Sequence, residues 1–161
     1  VLAPVATGGW TGCGAEMLTA DERRAVTRFH QRCNQLRDGP AVAAFTYLES
    51  DEVFGCGAGF HHLFIDATGQ VCPCDLTPLS FGDVTQEPLT DIWRRMERYF
   101  PVPRRGCFMN TIAARLPRGE AALPLPRERS EELCAACPSK GLLPEGYRRL
   151  AKGAEGFTTP G

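Results

Sequence analysis

The sequence predicts an α+β fold: a βαβ unit followed by a small cysteine-rich β-hairpin with helices. Three observations carry this. Residues 1–48 read as strand, helix, strand with short connections. Residues 55–75 read as a hairpin with Cys56 before it and Cys72 and Cys74 at its far end. A Cys134-x-x-Cys137 turn then supplies a second pair of thiols from far along the chain.

The first strand is Val1 to Ala6, followed by a Gly-rich loop, Thr7-Gly8-Gly9-Trp10-Thr11-Gly12. No Lys-Ser/Thr follows the loop, which argues against a phosphate-cradling P-loop. Trp10 is read either as packing or as lining a substrate pocket at a strand's C-terminal end. Thr19 and Glu22 have the spacing of a capping box. The helix from Ala20 to Leu36 carries Ala25, Val26, Phe29, Cys33 and Leu36 at three- and four-residue spacing. Cys33 is read as a core residue of that face, and Cys13 carries no motif. Asp38-Gly39-Pro40 stops the helix. Ala41 to Leu48 is read as a second buried strand, parallel to the first. One such unit leaves a sheet face uncovered, which suggests a larger α/β body on the N-terminal side. The start at Val1, within an interior-like strand, suggests the same: a piece of a longer chain.

The character changes after Glu49-Ser50-Asp51-Glu52. His61 to Ile65 leads into a turn at Asp66-Ala67-Thr68-Gly69, and Gln70-Val71 leads out. The return of the chain brings Cys72 and Cys74 back toward Cys56. Thr77 to Asp83 is an irregular loop. Leu89 to Phe100 is a helix with Leu89, Ile92, Trp93, Met96 and Phe100 on one face, read as core, and Pro101-Val102-Pro103 ends it. Arg94, Arg95, Arg98 and Arg104-Arg105 read as a solvated basic face. A short helix from Gly106-Cys107 to Leu116, an exposed Pro-rich loop over 117–126, a helix capped by Ser130 and a basic helix over Pro144–Lys152 complete the chain. Residues 153–161 read as a disordered tail. The divisions are 1–50 for the βαβ unit, 51–152 for the cysteine-rich domain and 153–161 for the tail.

Composition narrows the function classes. The 161 residues carry a net charge of −1, which argues against generic nucleic-acid or acidic-membrane binding. No apolar run is long enough to span a bilayer, and no export signal opens the chain. The expected location is cytoplasmic, where eight cysteines favour metal binding over disulfides. A secreted disulfide protein is the competing reading, and spacing alone leaves zinc and iron–sulfur both open. His61 and His62 flank the cysteines as possible ligands, and the plainer reading packs one and exposes the other.

The hairpin resembles something more specific. Gly55-Cys56-Gly57-Ala58-Gly59, then Ile65-Asp66-Ala67-Thr68-Gly69-Gln70-Val71, then Pro73-Cys74-Asp75 are similar to the opening of the SPASM/twitch domain of radical SAM enzymes. Phe81-Gly82-Asp83-Val84 and Leu89-Thr90-Asp91-Ile92-Trp93 resemble later segments of that family. The resemblance implies that residues 1–50 are the last βαβ unit of a radical SAM partial barrel. It implies a twitch-type domain with one auxiliary [4Fe-4S] cluster on Cys56, Cys74, Cys134 and Cys137, with Cys107 in reserve. The family's Gly-x4-Cys spacing selects Cys74 over Cys72. It implies a proton-accepting role for Asp75, whose plainer reading is a turn former at Leu76-Thr77-Pro78.

The family's SAM-cleaving Cys-x3-Cys-x2-Cys motif is absent from this sequence; Ser130 stands where Cys134-x2-Cys137 would need its first cysteine. By itself the chain is expected not to cleave S-adenosyl-L-methionine. SAM and a second [4Fe-4S] cluster belong to an N-terminal core, which is the expected partner together with a peptide or small-molecule substrate. The auxiliary cluster would transfer electrons or anchor that substrate. The alternative is a structural zinc module mediating protein contacts.

Overall fold

A computed structural model of the protein describes residues 18–36, 39–50, 52–117, 123–137 and 143–154. The strand expected over 1–6, the Gly-rich loop with Trp10, Cys13, and residues 155–161 of the expected tail lie outside these. Helix α1 spans Ala20–Gln35, as the capping box requires. The Glu22 amide donates to the Thr19 hydroxyl (3.3 Å), and the Glu22 carboxylate accepts from the Thr19 amide (2.7 Å). Asp21 and Glu22 in the first turn and Arg32 in the last complement the helix dipole. No residue of α1 is buried. Phe29 and Leu36, expected on a core face, are 45% and 60% exposed, and Cys33 is half-buried rather than a core residue.

The strand expected over Ala41–Leu48 is not formed. Residues 41–44 belong to no strand among the described residues, Ala44 has extended backbone, and Phe45–Leu48 is a short helix, α2. The reason lies in α1's polar side chains. The Val42 amide donates to Asn34 Oδ1 (3.1 Å), Asn34 Nδ2 donates to the Val42 carbonyl (2.7 Å), and the Ala44 amide donates to His30 Nδ1 (3.2 Å). Backbone groups that a sheet would pair are thus satisfied by the preceding helix. Among the described residues the βαβ unit is represented by its helix alone.

The hairpin is present as expected. Strands β1 (Phe64–Ile65) and β2 (Val71–Cys72) pair antiparallel, with Phe64 opposite Cys72 and Ile65 opposite Val71. Asp66 builds the turn: its carboxylate accepts from the amides of Thr68 (2.8 Å) and Gln70 (3.0 Å). The following loop doubles back along β2, through Phe81 N to Val71 O and Val71 N to Gly82 O, both 2.8 Å. Leu125 pins the same loop, with its amide donating to Pro78 O and its carbonyl accepting from Ser80 N, both 2.9 Å. The end of the Pro-rich segment is therefore built into the fold.

Helices α3 (Leu89–Glu97), α4 (Phe108–Ile112, continued by a 3-10 turn over Ala113–Arg115), α5 (Arg127–Ala135) and α6 (Glu145–Ala154) follow. Residues 153 and 154, expected in the tail, are helical. α5 begins before Ser130. That residue is buried inside the helix, its hydroxyl donating to Leu125 O (3.0 Å), so it ties the helix to the loop instead of capping it. The core gathers Val71, Leu79, Phe81, Ile92, Met96, Phe100, Phe108, Met109 and Ile112, all but sealed from solvent. Phe100 packs edge-on against Phe81 and Phe108, with ring centroids 5.9 and 5.3 Å apart. Trp93 packs half-buried against this core, while Leu89 is 41% exposed. None of the helices is long and apolar enough to cross a membrane among the described residues.

Candidate cysteine site

Two glycines let the loop carrying Cys56 run close to its neighbours. Gly55 has φ +65°, and a Cβ there would lie 2.6 Å from the Arg104 carbonyl oxygen. Gly59 has φ +69°, and its Cβ would lie 2.7 Å from the Phe100 ring. Between them, Cys56 and Arg104 exchange backbone hydrogen bonds of 2.8 and 2.9 Å. The Gly59 amide donates to Pro73 O (2.9 Å), which brings the hairpin exit beside Cys56. Cys74, rather than Cys72, is the hairpin thiol that feels the charge of Cys56. The Cys74 Sγ lies 3.1 Å from the Thr77 hydroxyl, which fixes its orientation.

The remaining thiols arrive from the helices. Cys107 sits at the start of α4, and its thiol hydrogen-bonds Cys56. That hydrogen bond holds Cys56 below the ordinary thiol range and pushes Cys107 above it. Cys134 lies in the last turn of α5, and the Cys137 amide donates to its carbonyl (3.0 Å), closing the expected turn. Burial pushes Cys72 and Cys134 up to about 12, with Arg104 opposing the shift at Cys134. Burial raises Cys74 as well. The seven cysteines of the described residues are all free thiols.

Arg104 joins the two ends of this arrangement. Expected on a solvated face, it is 8% exposed. Its Nη1 donates to Cys137 O (2.7 Å) and its Nη2 to Tyr99 O (3.1 Å), while its guanidinium lies over Phe108 and Phe100, 4.2 and 5.0 Å from the ring centroids. Its Nε is buried with no hydrogen-bond partner among the described residues. Arg115 reaches the same turn from outside, its Nη1 donating to Cys137 Sγ (2.9 Å). Sequence reasoning missed Arg104. The available signal was its place midway between Phe100 and Phe108, four residues from each.

The His61 ring packs against Gly57, beside the Cys56 loop. His61 is exposed and hydrogen-bonds the Tyr147 hydroxyl of α6; His62 is half-buried. Burial lowers both below the usual imidazole range. They line a mostly apolar pocket of about 360 Å³ with Phe45, Leu48, Phe54 and Tyr147. Asp75 is exposed. The turn after it is closed by Thr77 N to Cys74 O (3.1 Å), and no hydrogen bond to the Asp75 carboxylate forms among the described residues.

Among the described residues no three His, Cys, Asp or Glu side chains converge closely enough to hold a metal ion as they stand. The donor chemistry nonetheless suits a soft metal centre. Cys56, Cys134 and Cys137 all lie within electrostatic reach of Arg104, with Cys74 and Cys107 in reach of Cys56. Thiolates of this kind hold iron–sulfur clusters, and a buried cation with a free N–H suits their negative charge.

Comparison with known proteins bears on this arrangement. The SPASM family, described as an iron–sulfur cluster-binding domain, matches residues 56–138, just over half of the chain. The AdoMet-dependent heme synthase of Nitratidesulfovibrio vulgaris strain Hildenborough is 42% identical over 45 residues, which are 28% of this chain and 12% of that protein. No solved structure matches the chain.

Proposed function

Because the chain belongs to the SPASM family of iron–sulfur cluster-binding domains, and is a SPASM-containing portion of a radical SAM enzyme, we propose that it holds one auxiliary [4Fe-4S] cluster. The proposed ligands are Cys56, Cys74, Cys134 and Cys137. Cys107 is the alternate, favoured by its hydrogen bond to Cys56. The carrying observation is that one buried arginine pairs through the backbone with Cys56 and donates to the Cys137 carbonyl, which joins the Cys56 loop to the Cys134–Cys137 turn. Thr77 orients the Cys74 thiol, and the Cys56–Arg104 backbone pair sets the loop that presents Cys56.

When bound, such a cluster supplies one-electron transfer if four thiolates close it, or an open iron for substrate if three do. SAM cleavage and a second cluster are proposed for a separate core, and hydrogen abstraction from a peptide or small metabolite for the whole enzyme. The name of the heme synthase relative supports the small molecule of the two. Asp75, exposed beside Cys74, is proposed as the group that accepts a proton from substrate.

The test is anaerobic reconstitution followed by iron, sulfide and zinc analysis. A brown protein with absorbance near ~400 nm and ~4 iron and ~4 sulfide per chain is expected. Zinc alone at one per chain, in a colourless protein, would establish the structural zinc module instead.

A further inference from the structure

Among the described residues Arg104 is the one buried charged side chain. Taking a guanidinium out of water costs several kcal/mol unless an anion accompanies it. No carboxylate of the described residues lies within ion-pair distance of Arg104. Its partners are two backbone carbonyls and two aromatic faces, all of them neutral. The groups around it that can become negative are thiols. Cys56 is bound to it through the backbone, Cys137 accepts its Nη1 at the carbonyl, and Cys134 heads the turn that Cys137 closes.

We propose that Arg104 is a positioning residue of the cluster site, a fixed counter-charge for the thiolates that makes the cluster easier to reduce. The inference rests on the auxiliary-cluster reading. Two physical arguments support it. Reduction adds one electron to the cluster, 2+ to 1+, with no proton and no bond change, so a buried cation favours the reduced form. The guanidinium is also held from several sides, by Cys137 O, by Tyr99 O and by the rings of Phe100 and Phe108, so it cannot swing away to water as Arg115 can. A third, structural consequence is that Arg104 ties the Cys56 loop to the Cys134–Cys137 turn.

The test uses the whole chain, reconstituted anaerobically, as wild type and as Arg104→Gln and Arg104→Lys. Iron and sulfide content, circular dichroism and the midpoint potential are read on each. The potential comes from titration with dithionite, followed by electron paramagnetic resonance of the reduced cluster. Gln keeps hydrogen bonding and removes the charge; Lys keeps the charge and loses the fork. At a fixed applied potential, Gln is expected to lower the ratio of reduced to oxidised cluster tenfold or more, about 59 mV for one electron. Lys is expected to stay within about twofold of wild type, since its ammonium keeps the unit charge. A Gln variant that loads the same iron at the wild-type potential overturns the proposal. So does a Lys variant that shifts as far as Gln. If Gln loses the fold, Lys decides alone: the wild-type ratio supports a charge effect and a tenfold change contradicts it. A wild type that takes up no iron–sulfur cluster overturns the auxiliary-cluster reading itself, and this proposal with it.

Discussion

The N-terminal helices and the cysteine-rich region are built on opposite plans. α1 carries a capping box, dipole-matched charges and an apolar stripe, yet buries none of its residues. Its order rests on local contacts and on the hydrogen bonds of His30 and Asn34 to residues 42–44. The region from Val53 to Cys137 instead closes a dense core around Phe81, Phe100 and Phe108. The difference teaches where the rigidity of the site comes from. The thiols are presented by loops and helix ends, and the Cys56 loop and the segment carrying Arg104 are tied to that core, through Gly59 against Phe100 and Arg104 against Phe108.

Truncating one residue type in both regions exposes the contrast most strongly. Phe108→Ala is expected to destabilise the protein by about 3–5 kcal/mol, from lost burial and the cavity left. Phe29→Ala on α1 should change stability by about 0.5 kcal/mol or less. Chemical denaturation under reducing conditions measures both, and similar losses would show that α1 is packed as firmly as the core. Gly59→Ala should cost about 2–4 kcal/mol, from a left-handed backbone and a Cβ pressed into Phe100. Thr19→Ala removes the cap, worth about 1 kcal/mol, and its effect should be confined to α1. Amide hydrogen exchange would show faster exchange in α1 and no change at Val71 or Phe81.

A pH-dependent effect lies at the junction of the two regions. Burial raises Glu49 from 4.5 to about 7, helped by the nearby charges of Cys56 and Asp75. The folded state therefore holds this proton more tightly than the unfolded state does. Its stabilising contribution is complete below pH 4.5 and is lost as pH rises through about 7. Glu49→Gln should flatten this slope and melt higher than wild type at pH 8, with little difference at pH 4. Thermal melts at the two values check the sign.

What was legible in the sequence was local. The capping box of Thr19 and Glu22, the Asp66–Gly69 turn, and the stripe Ile92-Met96-Phe100 each declare themselves within a few residues, and each is found. The apolar run 41–48 was misread because so short a run fits a strand or a helix. What decided it was the position of Asn34 and His30, set by a different element. The pairing of Cys107 with Cys56 and the burial of Arg104 are long-range in the same way. An Arg-Arg doublet reads as solvent-facing until backbone pairing with Cys56 turns the first arginine inward. The site was thus visible as a set of cysteines, and its organising cation was not.

The most direct measurement is iron content across single cysteine variants, each reconstituted anaerobically beside wild type. Cys56→Ala, Cys74→Ala, Cys134→Ala and Cys137→Ala should each lose most of the bound iron and sulfide, while Cys72→Ala keeps it. Full iron in Cys74→Ala with loss in Cys72→Ala, or full iron in Cys134→Ala and Cys137→Ala, would contradict a cluster held jointly by the hairpin and the Cys134–Cys137 turn.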